Sequence, residues 1–144
     1  MDPIDLLRES IESWNQWRSL HPQAPCSLAG EDLSDGYFFE GNFSEVNLRG
    51  AKLQRACLIG ADFRWADLRG ADFTGAYLGE ATFYGANLKG ADFTGASLER
   101  TDLRRVPHSA KPIASALNDT RELKVTEWAR VPLKKQSVQR SWFR

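Results

Sequence analysis

At 144 residues, 42% apolar and 26% charged, with a formal net charge of zero, the chain suits one domain that buries its own core. No apolar run approaches the ~20 residues of a membrane span, and the acidic N-terminus is unlike a basic leader followed by an apolar stretch, so the expectation is a cytoplasmic protein without membrane contact. Charge is uneven: residues 106–144 carry eight basic and three acidic side chains, whereas residues 26–105 carry nine and twelve.

Residues 1–25 read as an N-terminal amphipathic capping helix. Asp2 is placed to N-cap it, with Pro3 at the first helical position. Ile4, Leu7, Ile11 and Trp14 recur at three- and four-residue steps, with Trp17 and Leu20 near the same stripe. His21, Pro22 and Pro25 end the helix.

From Cys26 to Arg105 a five-residue period runs without a break through sixteen units. Beginning at Val46 the units read V-N-L-R-G, A-K-L-Q-R, A-C-L-I-G, A-D-F-R-W, A-D-L-R-G and A-D-F-T-G. A strict internal repeat of this kind means a solenoid. The central Leu or Phe must face the axis, because it is the only reliably large apolar residue in each unit. Ala stands two residues earlier because that position also faces inward, at a crowded corner where a longer side chain would overpack the coil. The other three positions are charged, polar or Gly and should face outward.

These A-(D/N)-L-x-x units resemble the pentapeptide-repeat family, and the resemblance covers residues 26–105. It implies an all-β solenoid, a right-handed quadrilateral β-helix in which four units make one square coil. Sixteen units would make about four coils, with a helical cap at the N-terminus and a cap or tail at the C-terminus. At the strand spacing of ~4.8 Å the body would be a rod of roughly 15–20 Å. The W-N-Q-W-R segment, Trp14–Arg18, is similar to the leader of many cyanobacterial members.

Folded at twenty residues, the repeat gives four interior ladders. They are Leu28, Leu48, Leu68, Leu88; Leu33, Leu53, Phe73, Phe93; Phe38, Leu58, Leu78, Leu98; and Phe43, Phe63, Phe83, Leu103. The last should be a ring stack. A core so evenly filled leaves no interior cavity and the walls should be nearly flat, which argues against an enzyme. The first coil departs from the pattern, with Glu31, Gly36, Gly41 and Val46 where Ala is the rule. A charged Glu31 cannot sit unpaired on an apolar axis. The opening coil is therefore expected to be loose, bulged, or pressed against the N-terminal segment with Glu31 turned outward. An open solenoid end also exposes apolar cross-section and unpaired edges, which a helix laid over it would cover.

Three outer columns are candidate interaction surfaces. On the first wall Arg49, Arg69 and Lys89 form a basic stripe. On the second, Asp32, Asp72 and Asp92 form an acidic column in which Lys52 would neutralise its neighbours. On the third, Tyr37, Phe39, Cys57, Ile59 and Tyr77 point outward, an apolar cluster large enough to need a cover. The cover is the chain's own tail, a second copy in a homo-oligomer, or a partner protein. Residues 106–144 are punctuated by Pro107, Pro112 and Pro132, with a short helix expected around Ala110–Asn118. The end of the chain is basic and aromatic: Lys134, Lys135, Arg140, Trp142. It reads as a tail that docks on the solenoid or recognises an acidic partner, with nucleic acid the lesser expectation.

Catalytic patterns are absent. Cys26 and Cys57 lack CxxC spacing and a neighbouring His, and read as free thiols. His21 and His108 flank the repeat at opposite ends, and the glycines follow the turn rhythm, not a phosphate loop. The expectation is no enzyme, no metal and no cofactor. The reading is a non-catalytic scaffold that binds a protein through a solenoid face or the tail. The alternative implied by the resemblance is mimicry of duplex DNA at a type II topoisomerase (gyrase), but that requires a strongly acidic rod.

Overall fold

The computed structural model of the protein describes residues 2–106. The expectations for residues 107–144, including Lys134, Lys135, Arg140 and Trp142, lie outside the described residues.

The N-terminal segment forms two helices, where a single one was expected. Helix α1 spans Pro3–Glu9 and helix α2 spans Ile11–Leu20. Asp2 caps α1 as the sequence predicts, its carboxylate accepting from the Ile4 N–H. The break falls at Ser10, whose backbone is extended and whose hydroxyl accepts from the Ser13 N–H. A serine able to N-cap thus competes with helix continuation. The predicted stripe survives the break: Ile4, Leu7, Ile11 and Trp14 are all buried, while Leu20 is 69% exposed and leaves it. No helix among the described residues is long and apolar enough to cross a membrane.

Residues 26–105 wind into a square solenoid in which residue i pairs in parallel with residue i+20, from Ser27↔Asn47 to Thr82↔Asp102. Each unit turns a corner in the same way. In Ala71–Gly75, the next N–H, that of Ala76, donates back to the Phe73 carbonyl at 2.9 Å, and Gly75 has φ +68°. Positive φ falls on the last residue of all sixteen units, yet only eight of those residues are Gly. Asp35, Glu40, Glu45, Arg55, Trp65, Glu80, Arg100 and Arg105 hold the left-handed conformation with a side chain, at about 1–2 kcal/mol each. The coil imposes the corner even where the local residue disfavours it.

The central residues and the alanines fill the axis and are almost wholly buried. Phe43, Phe63 and Phe83 stack as expected, with centroids 5.3 and 5.0 Å apart. A second stack, Phe73 on Phe93 at 4.7 Å, stands beside the first and meets it edge to face. The Gly36 and Gly41 departures have a steric cause. A Cβ on Gly41 would lie 2.5 Å from the Phe43 ring and 2.9 Å from Ile11 Cδ1, and one on Gly36 would overlap the Phe38 ring.

The opening coil is neither loose nor bulged: its bridges and turns follow the others. Glu31 stands at the rim, where no coil lies above it, and its carboxylate reaches Arg8 of α1 at 3.5 Å. Of the three expectations, contact with the N-terminal segment is the one found.

Helix α2 replaces a missing coil on the fourth side. Between ordinary coils three bonds recur per side. Asn47 N–H donates to the Cys26 carbonyl, while the Asn47 and Arg49 carbonyls accept from Leu28 and Gly30 N–H. At the fourth side of the first coil the same three groups meet side chains. The Asn42 N–H donates to Asn15 Oδ1 at 2.8 Å. Trp14 Nε1 donates to the Asn42 carbonyl at 2.8 Å, and Arg18 Nη2 to the Ser44 carbonyl at 2.9 Å. Buried edge groups are thereby paired, as the cost of leaving them bare requires.

Candidate interaction surfaces

On the third wall Tyr37, Cys57 and Tyr77 are stacked by the Tyr37↔Cys57 and Cys57↔Tyr77 bridges. Tyr37 and Tyr77 are 55% and 52% exposed, and Cys57 is half-buried, its thiol pKa raised by burial. Ile59 corrects the expectation of a five-residue outward cluster, for it is only 7% exposed. The next residue in its column is Gly79, whose missing Cβ would sit 3.9 Å from Ile59 Cγ1, so the isoleucine lies over a glycine. Phe39, one coil earlier, is half-buried. The wall therefore offers two tyrosines above a recessed thiol.

The basic stripe of the first wall is interrupted. Arg49 and Lys89 are exposed, but Arg69 forks onto Asp67 at 2.8 and 2.6 Å. That fork holds the Asp67 carboxyl below the usual carboxylate range.

On the second wall Lys52 makes no ion pair among the described residues, so it neutralises no carboxylate by direct contact. Behind the Ser34 hydrogen bonds, its charge lowers the Asp32 pKa only from a distance, as a smaller cause. Hydroxyls serve instead. Ser34, Thr74 and Thr94 donate to Asp32, Asp72 and Asp92 at 2.5, 2.5 and 2.6 Å, and the backbone N–H of the same three residues adds a second bond. The Asp32 and Asp92 pKa values are lowered first by the hydroxyl and then by the N–H. Asn42, Asn47 and Asn87 accept the same N–H two residues on. The Asp or Asn of the repeat is thus an Asx turn that orients the corner, and its charge is incidental to that role.

A further cluster escaped the sequence reading. Trp65 is 56% exposed and its ring lies across Gly85, where a Cβ would overlap it. The ring meets Tyr84 edge to face at 5.5 Å, and the Arg104 and Arg105 guanidinium carbons stand 5.4 and 6.0 Å from the Tyr84 centroid. The readable signal was the column Trp65, Gly85, Arg105: a bulky residue followed one coil later by none. Arg104 is itself forked onto the buried Asp102 at 2.9 and 3.0 Å.

No group of three or more His, Cys, Asp or Glu among the described residues is arranged to hold a metal, and both cysteines are free thiols. Cys26 and Cys57 lie on different sides of the coil, and burial raises both thiol pKa values.

The model of pentapeptide repeats matches residues 26–64 and 66–105, in eight copies. The chain belongs to the pentapeptide-repeat family. The right-handed quadrilateral β-helix of that family is the solenoid described above. Among solved structures, the chain is similar to a pentapeptide repeat protein from the cyanobacterium Cyanothece 51142, at 31% identity over 60% of this chain and 63% of that one, TM-score 0.42. It is also similar to HetL, a pentapeptide repeat protein involved in heterocyst differentiation regulation in Nostoc, at 40% identity over 56% of this chain and 38% of that one, TM-score 0.28. QnrB1, a plasmid-mediated fluoroquinolone resistance protein, matches at 23% identity over 55% of this chain and 47% of that one, TM-score 0.44. The chain therefore matches less than two thirds of the length of each. No curated protein matches it.

Proposed function

We propose that this pentapeptide-repeat protein is a non-catalytic interaction module that engages a protein partner through the third wall. The observation that carries the reading is the pairing of exposed Tyr37 and Tyr77 in one column, held by parallel bridges on either side of Cys57. Tyrosines on a rigid backbone supply large amphipathic contact area at low entropic cost, which is why they anchor interfaces.

The partner is a protein; DNA mimicry directed at gyrase draws little support from the surface. Asp35, Asp62, Asp67 and Asp102 are each engaged by an arginine within 3 Å, so much of the acidic charge is locally neutralised. A phosphate mimic needs a sustained negative field.

The test is a quantitative pull-down from native lysate with the wild type, Tyr77→Ser, and a chain ending at His108. A protein lost with Tyr77→Ser and kept by the shortened chain supports the wall. The reverse moves recognition to the tail that holds Lys134, Lys135, Arg140 and Trp142. A supercoiling assay with purified gyrase checks the other target: no inhibition by excess protein retires it.

A further inference from the structure

The helices close one side of the first coil by supplying the bonds of a preceding coil, but the second side lacks that closure. By register with the coils below, the Asp32 N–H, the Asp32 carbonyl and the Ser34 carbonyl are the groups a preceding strand would bond. Among the described residues none of the three has a hydrogen-bond partner. Ser27 and Ala29 on the first side share this edge character, but the second side has a cleft beside it. That cleft measures about 450 Å³ and lies between the α1–α2 junction and the rim of the coil. Its floor is apolar, with Leu7, Ile11, Leu33 and Phe38 keeping 4–7% exposure where most core residues deeper in the solenoid show none. Its rim is acidic on balance: Glu9, Glu12 and Asp32 are exposed and form no ion pair among the described residues, while the one basic lining residue, Arg8, is engaged with Asp5 and Glu31.

We infer that this cleft binds an extended peptide with alternating apolar and basic residues, which adds to the second side of the first coil as a parallel strand. Three independent features select that occupant. The bare N–H and two bare carbonyls are spaced as the parallel ladder between Glu31–Asp35 and Lys52–Gln54 is spaced, so the guest must be extended and parallel. Alternation in a strand sends every second side chain to the apolar floor. The remaining side chains meet three carboxylates, which favours Lys or Arg and discourages Asp or Glu. Tyr37 of the third wall also borders the cleft, but Tyr77 stands two coils farther along, so Tyr77→Ser tests the wall without touching the cleft and a Glu12 substitution tests the cleft without touching Tyr77.

The experiment is a fluorescence-anisotropy titration of the full chain with a short fluorescein-labelled peptide of alternating lysine and valine. Matched probes replace lysine by glutamate, or carry N-methyl groups on the backbone amides. The lysine–valine probe is expected to bind saturably and to weaken as salt is raised. Backbone methylation, which removes the two bonds the guest would donate to the Asp32 and Ser34 carbonyls and spares the side chains, is expected to weaken it about tenfold. Glu12→Gln, at an exposed position in the first turn of α2, is expected to weaken it while lowering the melting temperature only slightly. Equal binding of the glutamate probe, or indifference to methylation, overturns the proposal. So does the absence of saturable binding, including the case in which the chain's own basic C-terminal residues already hold the cleft.

Discussion

The Trp14 indole donates its Nε1 hydrogen to the Asn42 carbonyl at 2.8 Å, in the place of a backbone N–H that a preceding coil would supply. The same indole stacks on Phe43 at 5.7 Å and is completely buried. One side chain thus covers apolar surface at the end of the solenoid and pairs one carbonyl of its fourth-side edge. Trp14→Phe keeps a ring over Phe43 but strands the Asn42 carbonyl, and should cost about 1–3 kcal/mol. Asn15→Ala, which strands the Asn42 N–H, should cost a similar amount. Urea unfolding monitored by circular dichroism checks both, and an unchanged midpoint for either variant would show that water satisfies the edge as well as the helix does.

Phe63 is the junction of the two ring stacks, touching Phe43, Phe83 and Phe73. Truncation to Ala should cost about 3–5 kcal/mol, because neighbouring coils are pinned by their own ladders and cannot collapse into the hole. Phe63→Leu should be far milder, since Leu103 occupies the same column two coils on. Phe63→Asp should abolish cooperative unfolding by placing an unpaired charge on the axis. Differential scanning calorimetry of the three variants tests the order.

The Asx turns predict a pH dependence that separates charge from hydrogen bonding. The Asp92 pKa is lowered from 3.8 by the Thr94 hydroxyl and N–H. A depressed carboxyl contributes stability that is fully present above its unfolded value and is lost as pH falls through the lower folded one. Melting temperature should therefore fall below about pH 4, with Asp32 and Asp67 contributing in the same sense. Asp92→Asn keeps an acceptor, as Asn87 does one side earlier, but loses the charge-assisted part of the bonds, so at pH 7 it should destabilise less than Asp92→Ala while reducing the acid dependence. Asp92→Ala loses the bonds and should cost about 1 kcal/mol at pH 7. A melting series between pH 2 and pH 7 reads all three, and equal behaviour of Asn and Ala at neutral pH would contradict the turn role.

Gly50 and Gly85 share the left-handed corner conformation, at φ +65° and +70°, but differ in surroundings. A Cβ on Gly50 meets nothing within 4 Å, whereas one on Gly85 runs into the Trp65 ring. Gly50→Ala should therefore cost only the backbone strain, about 1 kcal/mol. Gly85→Ala should cost more and should change the tryptophan emission as Trp65 swings away from Tyr84. Identical melting temperatures for the two variants would mean that the Trp65–Tyr84 contact adds no stability.

Much of this protein was legible in sequence because a five-residue repeat states the same local decision sixteen times. Inward Leu, Phe and Ala, the four ladders, the stack through Phe43, Phe63 and Phe83, and the stripe Ile4, Leu7, Ile11, Trp14 all follow from periodicity and volume. Three kinds of fact waited for tertiary structure, because they depend on residues far apart in the chain. Whether an outward residue is exposed depends on its neighbours twenty positions away, so Ile59 is buried over Gly79 while Tyr77 stands clear. Whether an ion is paired depends on side-chain reach: Arg69 spends its charge on Asp67, while Lys52 contacts no carboxylate among the described residues. Whether an edge is closed depends on how the cap lies. Trp14, Asn15 and Arg18 meet the fourth side of the first coil and leave the second side with an open cleft. Repetition determines the coil, since each unit carries its own reason to turn inward; the ends and surfaces are decided by contacts that no single unit contains.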